Sequence, residues 1–181
     1  MIDLKTGKFI LGEGLEVYPG MKLEDFKKTE LYKSYTIDRK KTDKNEWIYP
    51  LTIGKIDGFE LNINIFFDDD GYLEDIEISK KGWYVHEIET EEKIGRSNNY
   101  EYEYSVLDYL NKFLMSQIEG SVEGGRELWF DYKWGTIKTT FLPYGATASP
   151  ANIKLTIQYR TRLFKPEKES NLTLEQMFGW E

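Results

Sequence analysis

WIYPLTIGKIDGFELNINIFFDDDGYLEDIEIS, residues 47–79, alternates apolar and polar side chains more regularly than any other stretch of the chain. Three runs rich in β-branched and aromatic residues are separated by Asp57-Gly58 and Asp70-Gly71, dipeptides that tolerate the positive φ angles of tight turns. In the middle run Phe59, Leu61, Ile63, Ile65 and Phe67 point one way and Glu60, Asn62 and Asn64 the other. Trp47, Tyr49, Leu51 and Ile53 share a face of the first run, where Pro50 implies an edge position or a bulge. In the third, Tyr72 to Ser79, Ile76 and Ile78 face in while Asp75, Glu77 and Ser79 face out. The stretch predicts a three-stranded antiparallel meander whose single apolar face must be covered by another element.

Helical spacing supplies the cover. Leu23, Phe26 and Leu31 predict a short helix over 23–31, with Glu24 and Asp25 in its first turn and Lys22 where a capping residue would stand. Val106, Leu110, Phe113, Leu114 and Ile118 predict a long helix over 100–118, opened by Asn98 with Glu101 in the manner of a capping box and closed by Gly120. A second β module follows. Leu128, Phe130, Tyr132 and Trp134 alternate, then Ile137, Thr139 and Phe141, then Ile153, Leu155, Ile157 and Tyr159 as a half-buried last strand. Residues 8–11 read as an edge strand, 83–88 as a further strand, and 171–180 as a capped helix that docks. The expected fold is α+β: an antiparallel sheet of two three-stranded modules, each preceded by a helix, as a degenerate α-β-β-β duplication would produce. One domain is expected over 1–181, with lobes at 1–96 and 97–165.

A chain of 181 residues can bury a core without staples. It has no cysteine, so thiolate metal sites, disulfides and cysteine nucleophiles are excluded. No basic leader with an apolar core is visible, and no apolar run is long enough to span a bilayer; together these predict a cytoplasmic protein with no membrane contact. The formal charge is −8, with 32 acidic against 24 basic residues, which argues against nucleic acid and for a basic partner. The basic run DRKKTDKNE, 38–46, reads as a solvated loop.

Catalytic patterns fail one by one. Counted from Phe66, the DDDG turn places Asp68, Asp70, Gly71 and Glu77 at positions 3, 5, 6 and 12 of a calcium loop, yet Phe66 at position 1 has no ligating oxygen. A hairpin turn is the better reading, with weak cation binding by Asp68, Asp69 and Asp70 left open. His86 is the single histidine, with no Gly-x-Ser-x-Gly elbow to serve and no companion ligands for zinc. Gly12-Glu13-Gly14 lacks the third glycine and the βαβ setting of a dinucleotide fingerprint. Glu74, Asp75, Glu77, Glu87 and Glu89 are plentiful carboxylates without a cleft to converge in. No cofactor or metal and no catalytic residue is expected.

Two likenesses add to this reading. PGMKLEDF (19–26), the aromatic strand after it and INIFFDDDGYLEDIEI (63–78) resemble the α-β-β repeat of SmpA/BamE-type envelope lipoproteins and of β-lactamase inhibitor protein, without the lipoprotein signal and cysteine. DLKTGKFILGEG (3–14), LEDF (23–26), IDGFELNINIFF (56–67), YKWGTIKTTF (132–141) and IKLTIQY (153–159) resemble a family of cytosolic Gram-positive bacterial proteins of toxin-immunity type. Both likenesses imply small protein-binding folds. The expected function is an immunity or inhibitor protein acting on a basic toxin, with Asp68, Asp69, Asp70, Glu74 and Asp75 as contacts and Tyr72 as anchor. The alternatives are a small-ligand carrier and a carboxylate-dependent hydrolase.

Overall fold

The computed structural model describes residues 1–36, 40–41, 47–82, 96–118, 127–142 and 152–165, and of 40–41 and 96–101 the backbone alone. The expected strand at 83–88 with His86, the acidic Glu87 and Glu89, most of the 38–46 loop and the docking helix at 171–180 lie outside the described residues.

An α+β architecture is present, and every strand pairing described is antiparallel. A small hairpin, β1 (Phe9–Gly12) with β2 (Leu15–Val17), stands apart from the main sheet. Two short helices follow, α1 (Leu23–Phe26) and α2 (Glu30–Tyr35), in place of the single helix expected over 23–31. The break falls at Thr29, whose hydroxyl oxygen accepts a bond from the Tyr32 N–H at 3.2 Å and restarts the helix.

The main sheet runs β3 (Lys40–Lys41), β4 (Trp47–Leu51), β6 (Phe59–Phe67), β7 (Leu73–Lys80), β10 (Asn152–Tyr159), β9 (Gly135–Leu142), β8 (Trp129–Asp131), with β5 (Lys55–Ile56) beside β6. The meander is therefore real but not as simple as expected. The nine residues of β6 outrun the five of β4, and β5 pairs the remainder, so Asp57-Gly58 closes β5–β6 rather than β4–β6. Asp57 and Gly58 sit at φ 49° and 87°, as a mirror-image turn requires. Pro50 lies on β4 between the Lys40–Ile48 pairing and the Thr36–Leu51 bridge.

The second module also differs. Only Trp129–Asp131 forms its first strand; Tyr132 and Trp134 belong to the turn into β9, their rings parallel at 5.1 Å. Trp134 donates its indole N–H to the Leu4 carbonyl at 2.9 Å, and the Tyr159 hydroxyl donates to the Gly7 carbonyl at 3.0 Å. Strand β10, expected as a half-buried last strand, lies in the interior of the sheet between β7 and β9. It joins the two modules through their third strands, with Leu155 opposite Ile78 and Ile157 opposite Ile76.

The rows across the sheet explain the core. Tyr49, Ile65, Ile76, Ile157, Ile137 and Phe130 lie in one register row, and Leu51, Ile63, Ile78, Leu155 and Thr139 in the next. Helix α3 (Arg96–Gln117) covers these rows over β7, β10 and β9, burying Val106, Leu107, Leu110, Phe113 and Leu114. It starts at Arg96, so Asn98 is inside the helix and is not its cap. Phe26 of α1 completes the core, 5.2 Å from Phe67 and 5.5 Å edge-on to Tyr49.

Candidate functional site

The expected contact residues divide into two places. At the tip of the β6–β7 hairpin, Asp68 accepts the Tyr72 N–H at 2.9 Å and its carbonyl accepts Gly71 N–H, so the first aspartate builds the turn. Lys165 then closes over the tip, its ammonium 2.7 Å from Asp68 Oδ2 and 2.6 Å from Asp70 Oδ2. Those two carboxylates hold the Lys165 pKa well above the usual lysine range. Asp69 is exposed. Tyr72 is buried beneath, 6% exposed, with Lys22 and Lys165 ammonium groups 5.2 and 5.8 Å from its ring centre. The tip is thus an acidic turn over a buried ring, with two of its three aspartates tied to Lys165.

Glu74 and Asp75 belong elsewhere. The β6–β7 register passes from Phe66 opposite Asp75 to Phe67 opposite Leu73, leaving Glu74 as the extra residue of a bulge. Leu73 and Ile76 both face the core, so the two acids between them are displaced toward the opposite side of the sheet. That outward side carries two polar rows: Ile48, Phe66, Asp75, Gln158, Thr136, Asp131, and Pro50, Asn64, Glu77, Thr156, Lys138, Trp129. Among the described residues no helix covers it; the helices pack on the other face.

Its electrostatics are uneven. Glu77 is paired with Lys154, both about three-quarters buried. Asp131 is held by Arg160 at 2.6 Å and by Thr136, which pull its carboxyl below the usual range. Asp75 behaves oppositely: burial first, then the neighbouring charges of Glu74 and Glu77, push it up to about 7 against the pull of Lys154 and Lys138. Its Oδ1 is buried with no hydrogen-bond partner, as is the Thr156 hydroxyl one strand away. At the rim Trp129 stands 69% exposed beneath the Lys138 ammonium, which lies 5.5 Å from the ring centre.

Reasoning from sequence named Asp75 but missed Thr156 and Phe66 beside it and Trp129 at the rim. The signal available was alternation, which places Thr156 on the polar side of β10; nothing in composition marks the bulge. Among the described residues one concavity of about 720 Å³ lies between β1, β5 and the end of α3, and another of about 600 Å³ lies beside Arg160 and Arg162. Neither is lined by Glu74, Asp75 or Glu77. Among the described residues no three carboxylate or imidazole side chains gather as metal ligands, and no helix is long and apolar enough to cross a membrane. Comparison with protein-family models, with curated proteins and with solved structures finds no match, so the functional reading rests on this chain's own geometry.

Proposed function

We propose that the chain is an intracellular protein-binding module of immunity or inhibitor type, which neutralises a basic bacterial toxin by occupying its cationic surface. The observation that carries this reading is the outward face of the sheet. A bulge brings Glu74 and Asp75 beside Glu77 on one face of the sheet, with half-buried Ile48 and Phe66 alongside and Trp129 exposed at the rim. A sheet face with an exposed aromatic at its rim suits a protein partner, whereas small ligands are held in concavities. Aromatic anchors ringed by charge are the usual composition of binding hot spots. A net charge of −8 adds steering toward a basic surface. The edge-to-edge meeting of the two third strands supports reading the chain as a degenerate duplication.

The test is affinity capture from the source cells with the wild-type chain and a Glu74→Lys/Trp129→Ala variant in parallel. A basic protein should be retained by the wild type, released as salt rises, and absent from the variant. Equal recovery by both, or a complex indifferent to salt, would overturn the assignment.

A further inference from the structure

The concavity of about 600 Å³ at the end of β10 differs from the rest of the surface in its charge. Arg160, the residue after the strand, and Arg162, in the turn Thr161–Leu163, both line it, and among the described residues no carboxylate does. That reverses the balance of the chain, with 32 acidic against 24 basic residues. Both side chains are exposed, so their guanidinium groups are open to a ligand. Arg160 meets Asp131 at 2.6 Å, which offsets its charge and leaves further N–H groups of the fork to donate. Arg162 makes no ion pair among the described residues, so its charge is uncompensated. The backbone that carries them is tied down: the Arg160 N–H donates to the Trp134 carbonyl at 3.0 Å, and the Arg160 carbonyl accepts the Leu163 N–H at 2.9 Å.

The remaining wall narrows the ligand. Guanidinium forks match the oxygens of phosphate and carboxylate groups, and a phosphate monoester brings more charge and enough acceptors for both forks at once. The cavity has the size of a small-molecule site and exceeds what a lone phosphate group fills, so the ligand has a body as well. Facing that body are the exposed Gln158 amide and the hydroxyls of Thr136 and Thr161. The Thr136 hydroxyl donates to Asp131 at 3.1 Å, which leaves its oxygen to accept. Mixed donors and acceptors of this kind complement hydroxyl groups. The ring on the wall, Tyr159, is 3% exposed and its hydroxyl is bonded to Gly7, so it offers no face on which a nucleobase could stack.

We propose that this cavity binds the phosphate monoester of a small polyol, a sugar phosphate. Arg162 and the free N–H groups of Arg160 hold the phosphoryl oxygens, while Gln158, Thr136 and Thr161 meet the hydroxyl groups. The site is separate from the acidic contacts assigned to a protein partner and stands whether or not those contacts bind one.

The probes are ribose 5-phosphate, ribose, inorganic phosphate and AMP, titrated into the full chain by calorimetry while backbone amides are followed by NMR. Ribose 5-phosphate should move the amides of Gln158 to Leu163 and bind about tenfold or more tightly than ribose or inorganic phosphate, and AMP should gain nothing over it. Arg162→Gln should weaken binding about tenfold with an unchanged melting temperature, because the side chain has no ion pair to lose. Arg160→Lys, which keeps the charge and loses the fork, should weaken it several-fold. No binding of ribose 5-phosphate, shifts confined to other parts of the chain, or full affinity in Arg162→Gln would overturn the site. Equal affinity for inorganic phosphate, or tighter binding of AMP, would overturn the sugar phosphate as its ligand.

Discussion

With a carboxyl titrating at about 7, Asp75 holds its proton in the folded protein across a range where the unfolded chain, near 3.8, has lost it. The folded state therefore binds more protons between about pH 4 and 7, and stability falls as pH rises through that window. Three units correspond to a loss on the order of 4 kcal/mol. Asp75→Asn should abolish most of that slope and be the more stable protein at pH 8, which urea unfolding at a series of pH values will show. Lys165 works in the other direction. Lys165→Ala removes its contacts to Asp68 and Asp70, and a loss of about 1 kcal/mol, or roughly 2–4 °C in melting temperature, is expected at low salt. The difference should shrink in 0.5 M salt, since the pair is partly exposed. At this scale the acids were legible as types and not as environments. Six neighbouring residues of one turn and strand read alike in sequence, yet one builds a turn, one is a buried ring and one is a desolvated carboxyl.

Elements built by alternation were legible, because period-2 burial writes itself directly into residues such as Ile63, Ile65, Ile76 and Ile78. Elements built by a local exception were not. The α1–α2 break depends on one hydroxyl, and the apolar stripe Leu23, Phe26, Leu31 fits an unbroken helix equally well. Thr29→Ala should cost about 1 kcal/mol, measured by thermal melting, with Thr29→Asp restoring it. The bulge at Glu74 inserts one residue with no compositional trace. Trp134 continued an alternating pattern while its ring was committed to a different partner. It lies over Gly7, which has φ 76° and where an added Cβ would come within 2.4 Å of the indole and 2.8 Å of Pro19. Gly7→Ala should therefore destabilise by about 1–3 kcal/mol and loosen the N-terminal hairpin from β9, seen as a loss of near-ultraviolet dichroism from Trp134.

For the molecule as a whole, one buried cluster runs from Ile2 to Tyr159 and joins both modules through the β7–β10 seam. Phe113 sits fully buried against Phe59, ring centres 5.5 Å apart, and Phe113→Ala should cost about 3–5 kcal/mol in chemical unfolding. Amide exchange should be slowest in β7 and β10, whose backbones are paired on both sides. The position of β10 has a further consequence, for the chain as it is being made. The last of the described strands, β10, is a middle strand of the sheet, so β4, β6 and β7 emerge from a ribosome well before the partner that seals β7. Until Tyr159 has been added and released, β7 is an open edge beside Leu73, Ile76 and Ile78, a template any other nascent strand can join. Completion of the described sheet waits for β10, and the interval before it is when the chain has most need of a chaperone.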